Sequence, residues 1–361
     1  MQSLLKTLHP SRLHTFKEKL RVERKSPDFL QNLKALIIQE NFIHKITQIR
    51  QTYISYKILT KLCKYIPKQE LRTLIDNEDA FRETPLALAC KLGNFLCAGL
   101  LTELGANVNH SYDDDREGDE NYYIRTPLGN ALFYLKSIPL EDVEDYVEDS
   151  DNIIAILLKH GADPNSQLWN NEGVIYESSL MIALNIGSCA IVSALLDYGA
   201  KIDIHRTFYS YRSWNALDVA LDGGNTTTGI EKIIISRCDP CTLGKMLDIT
   251  SLVNAIKSNI PEKIEIVLAF FIEHHPSPNL EDCARIASPI LSYGHRNNEF
   301  LWIFLVLFPN MKNCKVKGCT LVSHALKKFG NMEAVEMIRN FDLTLFDLLT
   351  LHLYYRDIRE L

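Results

Sequence analysis

One pattern recurs along the middle of the chain and constrains its fold more than any other feature. Its first copy opens with Thr84-Pro85-Leu86 and closes with Gly105-Ala106. Thr-Pro is typical of a helix start, because the hydroxyl accepts from free N–H groups while proline occupies the first turn. Gly-Ala after an apolar run is typical of a left-handed helix end. One such helix pair cannot bury its apolar face alone, so the copies are expected to stack into a solenoid.

Further copies follow the first with decreasing similarity. Two clear ones cover residues 126–165 and 178–203, a weaker one covers 215–235, and degenerate ones are predicted over 250–270 and 320–338. These motifs resemble the ankyrin-repeat family, most closely over residues 81–236. The resemblance implies an all-α ankyrin-repeat solenoid of helix pairs whose general role is protein–protein recognition.

Charge and periodicity divide the chain into three predicted regions: a basic helical N-terminal region (1–80), the ankyrin repeats (81–240), and degenerate ankyrin-like repeats with a closing helix (241–361). Residues 1–75 hold 15 basic and 5 acidic side chains, whereas residues 76–165 hold 6 basic and 19 acidic ones. The apolar spacing from Phe29 to Ile49 predicts helices. We expect these helices to cap one end of the solenoid and the apolar C-terminal segment to cap the other.

The loops between repeats are longer than the family pattern. About 12 residues are expected from the closing Gly of one repeat to the opening Thr of the next, but three consecutive intervals here are 21, 17 and 16 residues long. We therefore predict enlarged hairpin fingers, lying side by side along one edge. Exposed aromatics on loops are favourable for partner binding, although the insertions could instead only pack on each other. The predicted partner-binding residues are Tyr112, Tyr122, Tyr123, Trp169, Tyr176, Phe208, Tyr209, Tyr211 and Trp214.

A separate insertion lengthens the second repeat. Ala131 and Leu157 are 26 residues apart, whereas Ala89 and Leu100 are 11 apart. The added segment carries seven carboxylates between residues 141 and 151. These could steer a basic partner, but an exposed acidic loop is more often only solvated.

No complete catalytic or metal-binding motif is present. Cys238-Asp239-Pro240-Cys241 lacks a second pair at zinc-site spacing, and residues 113–118 resemble a calcium loop only until its last ligand position, where Ile124 replaces Glu. No cofactor and no metal are therefore expected. The favoured hypothesis is a non-enzymatic scaffold. The alternative is an enzyme with a catalytic C-terminal region, in which Cys283, Cys314 or Cys319 meets His295 or His324.

The remaining expectations concern partners and location. No apolar stretch reaches the ~18 residues of a membrane helix, and Lys, His and Pro interrupt the first ten residues, so we expect a cytoplasmic protein. We expect a monomer with a protein partner and no small-molecule substrate; nucleic acid or anionic lipid is disfavoured because no motif accompanies the basic region. The degenerate repeats also resemble secreted effectors of intracellular bacteria. That resemblance implies a host-protein partner in the host cytosol.

Overall fold

A computed structural model describes most of the chain and divides it into two compact units, residues 1–213 and 214–361. The described residues are 6, 8, 13–114, 123–139, 152–169, 175–202, 206–207, 213–221, 229–274, 278–292, 298–326 and 331–340. The acidic segment 141–151 and the predicted closing helix after residue 340 lie outside them. The three-region division made from the sequence stays a prediction.

The first unit is built of helices and short hairpins. Its helices are α1 (Leu13–Glu23), α2 (Phe29–Glu40), α3 (Phe42–Thr47), α4 (Thr52–Cys63), α5 (Lys68–Ile75), α6 (Pro85–Lys91), α7 (Phe95–Glu103), α8 (Pro127–Lys136), α9 (Ile153–Lys159), α10 (Ser179–Ile186) and α11 (Cys189–Asp197). Its strands are β1 (Tyr112–Asp114), β2 (Tyr123–Arg125), β3 (Gln167–Trp169), β4 (Ile175–Ser178) and β5 (Arg206–Thr207), and β6 (Ser213–Trp214) begins at its end.

Two rows of helices stack within this unit. The inner row runs α3, α6, α8, α10, and the outer row runs α4, α7, α9, α11, with each helix packed against its neighbours in the row. Ala89, Ala131 and Ala183 are fully buried in the inner row, where a small side chain lets adjacent helices approach closely. This is the helix-pair solenoid that the ankyrin-repeat resemblance implies, and the predicted fold class is confirmed.

The expected helix starts are present as capped ends. The side chains of Thr84, Thr126 and Ser178 accept hydrogen bonds from the backbone N–H three residues ahead, on Ala87, Gly129 and Met181. A bond of this kind is worth about 1 kcal/mol, because it satisfies a donor that the helix cannot.

The N-terminal helices extend the solenoid by one further repeat that the sequence did not reveal. The apolar run beginning at Phe29 is broken at Asn41, which has a φ of 50°, and α3 then enters the inner row. The buried Asn94 fastens this repeat, because its Nδ2 donates to Thr47 O and to Ser55 Oγ, both at 2.9 Å. The expected helical cap is therefore itself part of the stack.

Asparagine side chains join successive repeats on the outside. Asn109 Nδ2 donates to Gly161 O at 2.8 Å, while its Oδ1 accepts from Asp163 N at 2.9 Å. Asn165 repeats both bonds with Gly199 O and Lys201 N. Each amide thereby holds the loop of the next repeat in register.

The second unit contains helix pairs of the same kind. After β6, its helices are α12 (Ala216–Leu221), α13 (Ile230–Arg237), α14 (Pro240–Met246), α15 (Ile249–Ser258), α16 (Pro261–His274), α17 (Leu280–Ser292), α18 (Asn298–Leu307), a 3₁₀ turn (Pro309–Asn313), α19 (Leu321–His324) and α20 (Met332–Asn340). The short strands β7 (Lys315–Val316) and β8 (Cys319–Thr320) form a hairpin. Helix α15 packs against α12, α16 and α17, and α20 packs against α18 and α19. The degenerate repeats predicted here are thus helix pairs as well.

Buried polar side chains link the helices of this unit. Ser251 Oγ donates to Asp218 Oδ1 at 2.9 Å, and the fully buried Lys263 donates to Ala220 O at 2.9 Å. Asn215 and Asp218 also exchange hydrogen bonds across the start of α12.

Among the described residues, no helix combines the length and apolarity needed to cross a bilayer.

Candidate protein-binding surface

The fingers form a row along one edge of the first unit. Strands β1 and β2 pair antiparallel, with Tyr112 opposite Arg125 and Asp114 opposite Tyr123. Strands β3 and β4 pair in the same way, with an irregularity after Leu168. Strand β2 lies beside β3, and β4 lies beside β5. The hairpins are therefore neighbours, in the order expected from the repeats.

The nine predicted aromatics fall into three groups according to what the structure describes of them. Tyr123, Trp169, Tyr176 and Trp214 lie in strands β2, β3, β4 and β6, and the structure describes the backbone there without the side chains. Tyr122, Phe208, Tyr209 and Tyr211 lie outside the described residues. Tyr112 alone among the nine has a described side chain. The predicted binding role of the other eight stays a prediction.

Tyr112 lies in the interior, at the base of its finger, with only 2% of its surface exposed. Its hydroxyl donates to Glu83 Oε1 at 2.7 Å and accepts from Asn130 Nδ2 at 2.9 Å. Asn130 also donates to Ala87 O, and Lys91 Nζ lies 3.4 Å from Glu83 Oε1. An exposed position is expected for a finger aromatic, but Tyr112 is buried. It lies at the base of the finger, where the adjacent helices cover it. We leave Tyr112 out of the proposed contact surface.

A further finger precedes the first recognised repeat. Asp79 Oδ1 accepts from the backbone N–H groups of Phe81 and Glu83, and Asp79 N donates to Glu83 O. Arg82 takes a φ of 61° at this turn, a left-handed conformation that costs a non-glycine residue free energy. Phe81, next to Arg82 in this turn, is 48% exposed. In the sequence, the feature that indicates this turn is an Asp five residues before Thr84.

His110 connects this finger with the next. Its Nε2 donates to Arg82 O at 2.8 Å, and its ring stacks on Tyr112 with centroids 6.3 Å apart. Glu78 lies 3.9 Å from His110 Nε2 and 3.8 Å from Arg82 Nε. We call Glu78, Phe81, Arg82 and His110 the first-finger surface. It combines an exposed aromatic with charges of both signs on a fixed turn, which is suited to binding a protein surface.

The first-finger surface is anchored to the buried N-terminal repeat. His44 Nε2 donates to Glu83 O at 2.9 Å. Burial lowers the pKa of His44 below its ordinary value, although this hydrogen bond and the carboxylates of Asp79 and Glu83 oppose that effect. A neutral His44 ring therefore holds the turn at residues 79–83 through its hydrogen bond to Glu83 O.

Two of the three thiols named for the alternative site are poorly suited to nucleophilic chemistry, whereas the third, Cys319, is exposed. Cys283 and Cys314 are buried. Burial raises the pKa of Cys314 to about 11, with a smaller contribution from Cys283, and burial likewise raises the pKa of Cys283. The thiolate is the reactive form, so both groups are protonated near neutral pH. Within the described part of the chain, no group of three His, Cys, Asp or Glu side chains could hold a metal ion.

Solved structures of other proteins are similar to this chain, whereas sequence comparisons find no match. No family model and no curated protein sequence matches the chain. The crystal structure of the human ASB11 ankyrin repeat domain is similar over 88% of this chain and 100% of that chain, with 16% identity and a TM-score of 0.41. At values this low, the fold assignment rests on the helix pairs and capped ends described above.

Proposed function

We propose that the chain is a protein-interaction scaffold that binds a partner protein along its finger row and the adjoining inner helices. The observation that supports this most directly is the row itself, with β2 beside β3 and β4 beside β5 on a rigid helical stack. Side chains on such a scaffold lose little conformational freedom on binding, which favours affinity. The exposed Phe81 extends the row by one finger.

The finer hypotheses from the sequence are part of this proposal. A host-protein partner, and a secreted effector that acts in the host cytosol, rest on the resemblance of the degenerate repeats to such effectors. The enzyme alternative gains no support from Cys283 and Cys314, because burial keeps both thiols protonated.

An affinity capture with matched variants tests the proposal. The full chain is immobilised in eukaryotic cytosolic lysate, and retained proteins are quantified by mass spectrometry. The finger variant carries Phe81→Ala, Trp169→Ala and Tyr176→Ala. The control carries Tyr198→Ala, an aromatic that is 46% exposed at the end of outer helix α11.

The expected result is a protein retained by the parent chain and by the control, and lost from the finger variant. Circular dichroism must first show that all three chains are folded. Equal retention by all three would place the binding surface elsewhere. Retention of no protein by the parent chain would contradict the scaffold hypothesis itself.

A further inference from the structure

Helix α4 presents a regular stripe of side chains on the outer face of the N-terminal repeat. Its inward side is fully buried at Ile58, Leu59 and Leu62. Tyr53, Lys57 and Lys61 are exposed on the other side. A spacing of four residues places them about 6 Å apart along the helix axis, on one face.

Aromatic rings hold the cations of this stripe in place. Lys57 Nζ lies 4.0 Å from the centre of the Tyr53 ring, and Lys61 Nζ lies 5.8 Å from that of Tyr65. Arg24, in the turn that follows α1, lies 5.2 Å from the centre of the Tyr65 ring. The ring of Tyr65 is fixed in turn by an edge contact with Phe29 at 5.8 Å. A ring orients a cation without cancelling its charge, unlike a carboxylate.

Three carboxylates of the N-terminal helices pair with other basic side chains. Glu40 pairs with Lys45 at 3.1 Å, Glu70 pairs with Lys34, and Glu18 lies 3.6 Å from His14. In the described part of the chain, neither Lys57, Lys61 nor Arg24 forms an ion pair with a carboxylate. The stripe therefore keeps its positive charge, oriented and exposed.

We propose that Tyr53, Lys57, Lys61, Tyr65 and Arg24, the Tyr-Lys stripe, bind an acidic polypeptide segment. Alternate residues of an extended chain lie roughly 6.6 Å apart, close to the spacing of the two lysines. Carboxylates at alternate positions can therefore meet successive cations. Preordered lysines lose less side-chain entropy on binding than free ones.

The charge of the rest of the chain favours a short acidic peptide over nucleic acid. The whole chain carries −6, and residues 76–165, which follow the basic region, carry −13. The long-range field of the chain as a whole therefore does not attract a long polyanion. A short acidic segment needs only the stripe itself.

Fluorescence anisotropy with a defined probe tests this inference. The probe is a labelled peptide of about twelve residues with Glu and Ser alternating, titrated with the full chain. The stripe variant carries Lys57→Glu and Lys61→Glu. The charge-matched control carries Lys159→Glu and Lys201→Glu, at exposed positions of the same unit.

We expect the stripe variant to bind at least about tenfold more weakly than the parent chain, and the control to bind within about twofold of it. Tyr53→Ala is expected to weaken binding by a smaller factor, because it frees Lys57 without removing its charge. Circular dichroism confirms that each variant is folded. A chain with Trp169→Ala alone should bind the probe like the parent chain, which separates this inference from the finger-row proposal.

Four outcomes would overturn the inference. They are an absence of probe binding, an equal loss in the control, tighter binding of a thymidine oligonucleotide of similar length, and tighter binding of vesicles containing phosphatidylserine. The second would show a response to net charge alone. The third and fourth would assign the stripe to nucleic acid and to membrane, respectively.

Discussion

At the scale of single residues, position along a finger decides what an aromatic side chain does. Tyr112 is fixed beside the inner helices by hydrogen bonds to Glu83 and Asn130. Phe81 lies at the outer end of a tight turn and is about half exposed. Both aromatics lie between helix pairs, yet Tyr112 is buried and Phe81 is exposed.

The Tyr112 hydroxyl is expected to stabilise the first unit. Tyr112→Phe leaves the ring in place but removes one donor to Glu83 and one acceptor for Asn130, inside the protein. A lost buried hydrogen bond of this kind costs about 1–3 kcal/mol. Urea unfolding followed by circular dichroism measures the effect, with Tyr198→Phe as the exposed control. Equal unfolding free energies for the two variants would show that the network contributes nothing.

His44 is expected to make stability depend on pH. Burial lowers its pKa in the folded chain, so the unfolded chain takes up the proton first as the pH falls. The stability that the neutral His44 side chain contributes is therefore complete above its ordinary pKa of 6.5. This stability is lost as the pH falls below that value. His44→Gln retains an amide donor for Glu83 O but does not titrate.

Urea unfolding at about pH 8 and about pH 5.5 compares the two proteins. The parent chain should lose more unfolding free energy over this interval than the Gln variant. Identical losses would show that His44 is not the group responsible.

The sequence predicted local features of these residues well and tertiary ones poorly. The caps at Thr84, Thr126 and Ser178 follow from a residue and its next three neighbours, so the pattern contains the information. The burial of Tyr112 depends on Glu83 and Asn130, which lie 29 and 18 residues away in the chain. No local pattern specifies such a contact.

At the scale of elements, glycines end the helices by adopting left-handed backbone. Gly161 has a φ of 89°, and a methyl group added to its Cα would meet no heavy atom within 4 Å. Gly99 lies within α7, where an added methyl group would lie 3.7 Å from Ile156 Cδ1. Space is adequate at both sites, so backbone conformation decides the effect of a substitution.

Substituting alanine at the two glycines should have opposite effects. Gly161→Ala is expected to lower the unfolding free energy by about 1–2 kcal/mol, through the strain of a left-handed alanine. Gly99→Ala is expected to raise it by up to about 1 kcal/mol, through helix propensity. Thermal and urea unfolding measure both. A stabilising Gly161→Ala would contradict the left-handed helix end.

Some helices of the stack could be predicted from the sequence and others could not. The three clear repeats, which open at residues 84, 126 and 178, carry Thr-Pro or Ser starts and Gly-Ala ends, so their helices could be placed. The repeat formed by α3 and α4 has neither marker: α3 begins after Asn41 instead of Thr-Pro. Its place in the stack depends on packing against α6 and α7, which periodicity alone does not predict.

At the scale of the whole molecule, each unit is a stack in which helices contact mainly their neighbours along the chain. In the first unit this arrangement presents two separate surfaces. The finger row follows the loops between repeats, and the Tyr-Lys stripe follows the outer helix α4. The uneven charge along the sequence is consistent with two surfaces of different chemistry.

Site-specific photocrosslinking tests the central claim, that the finger row contacts a partner protein. A benzoylphenylalanine residue is introduced at position 169 in one chain and at position 198 in another, and each is irradiated in cytosolic lysate. We expect position 169 to crosslink the protein that is retained in the affinity capture, and position 198 to give no such crosslink. Crosslinks to that protein from position 198 alone would contradict it.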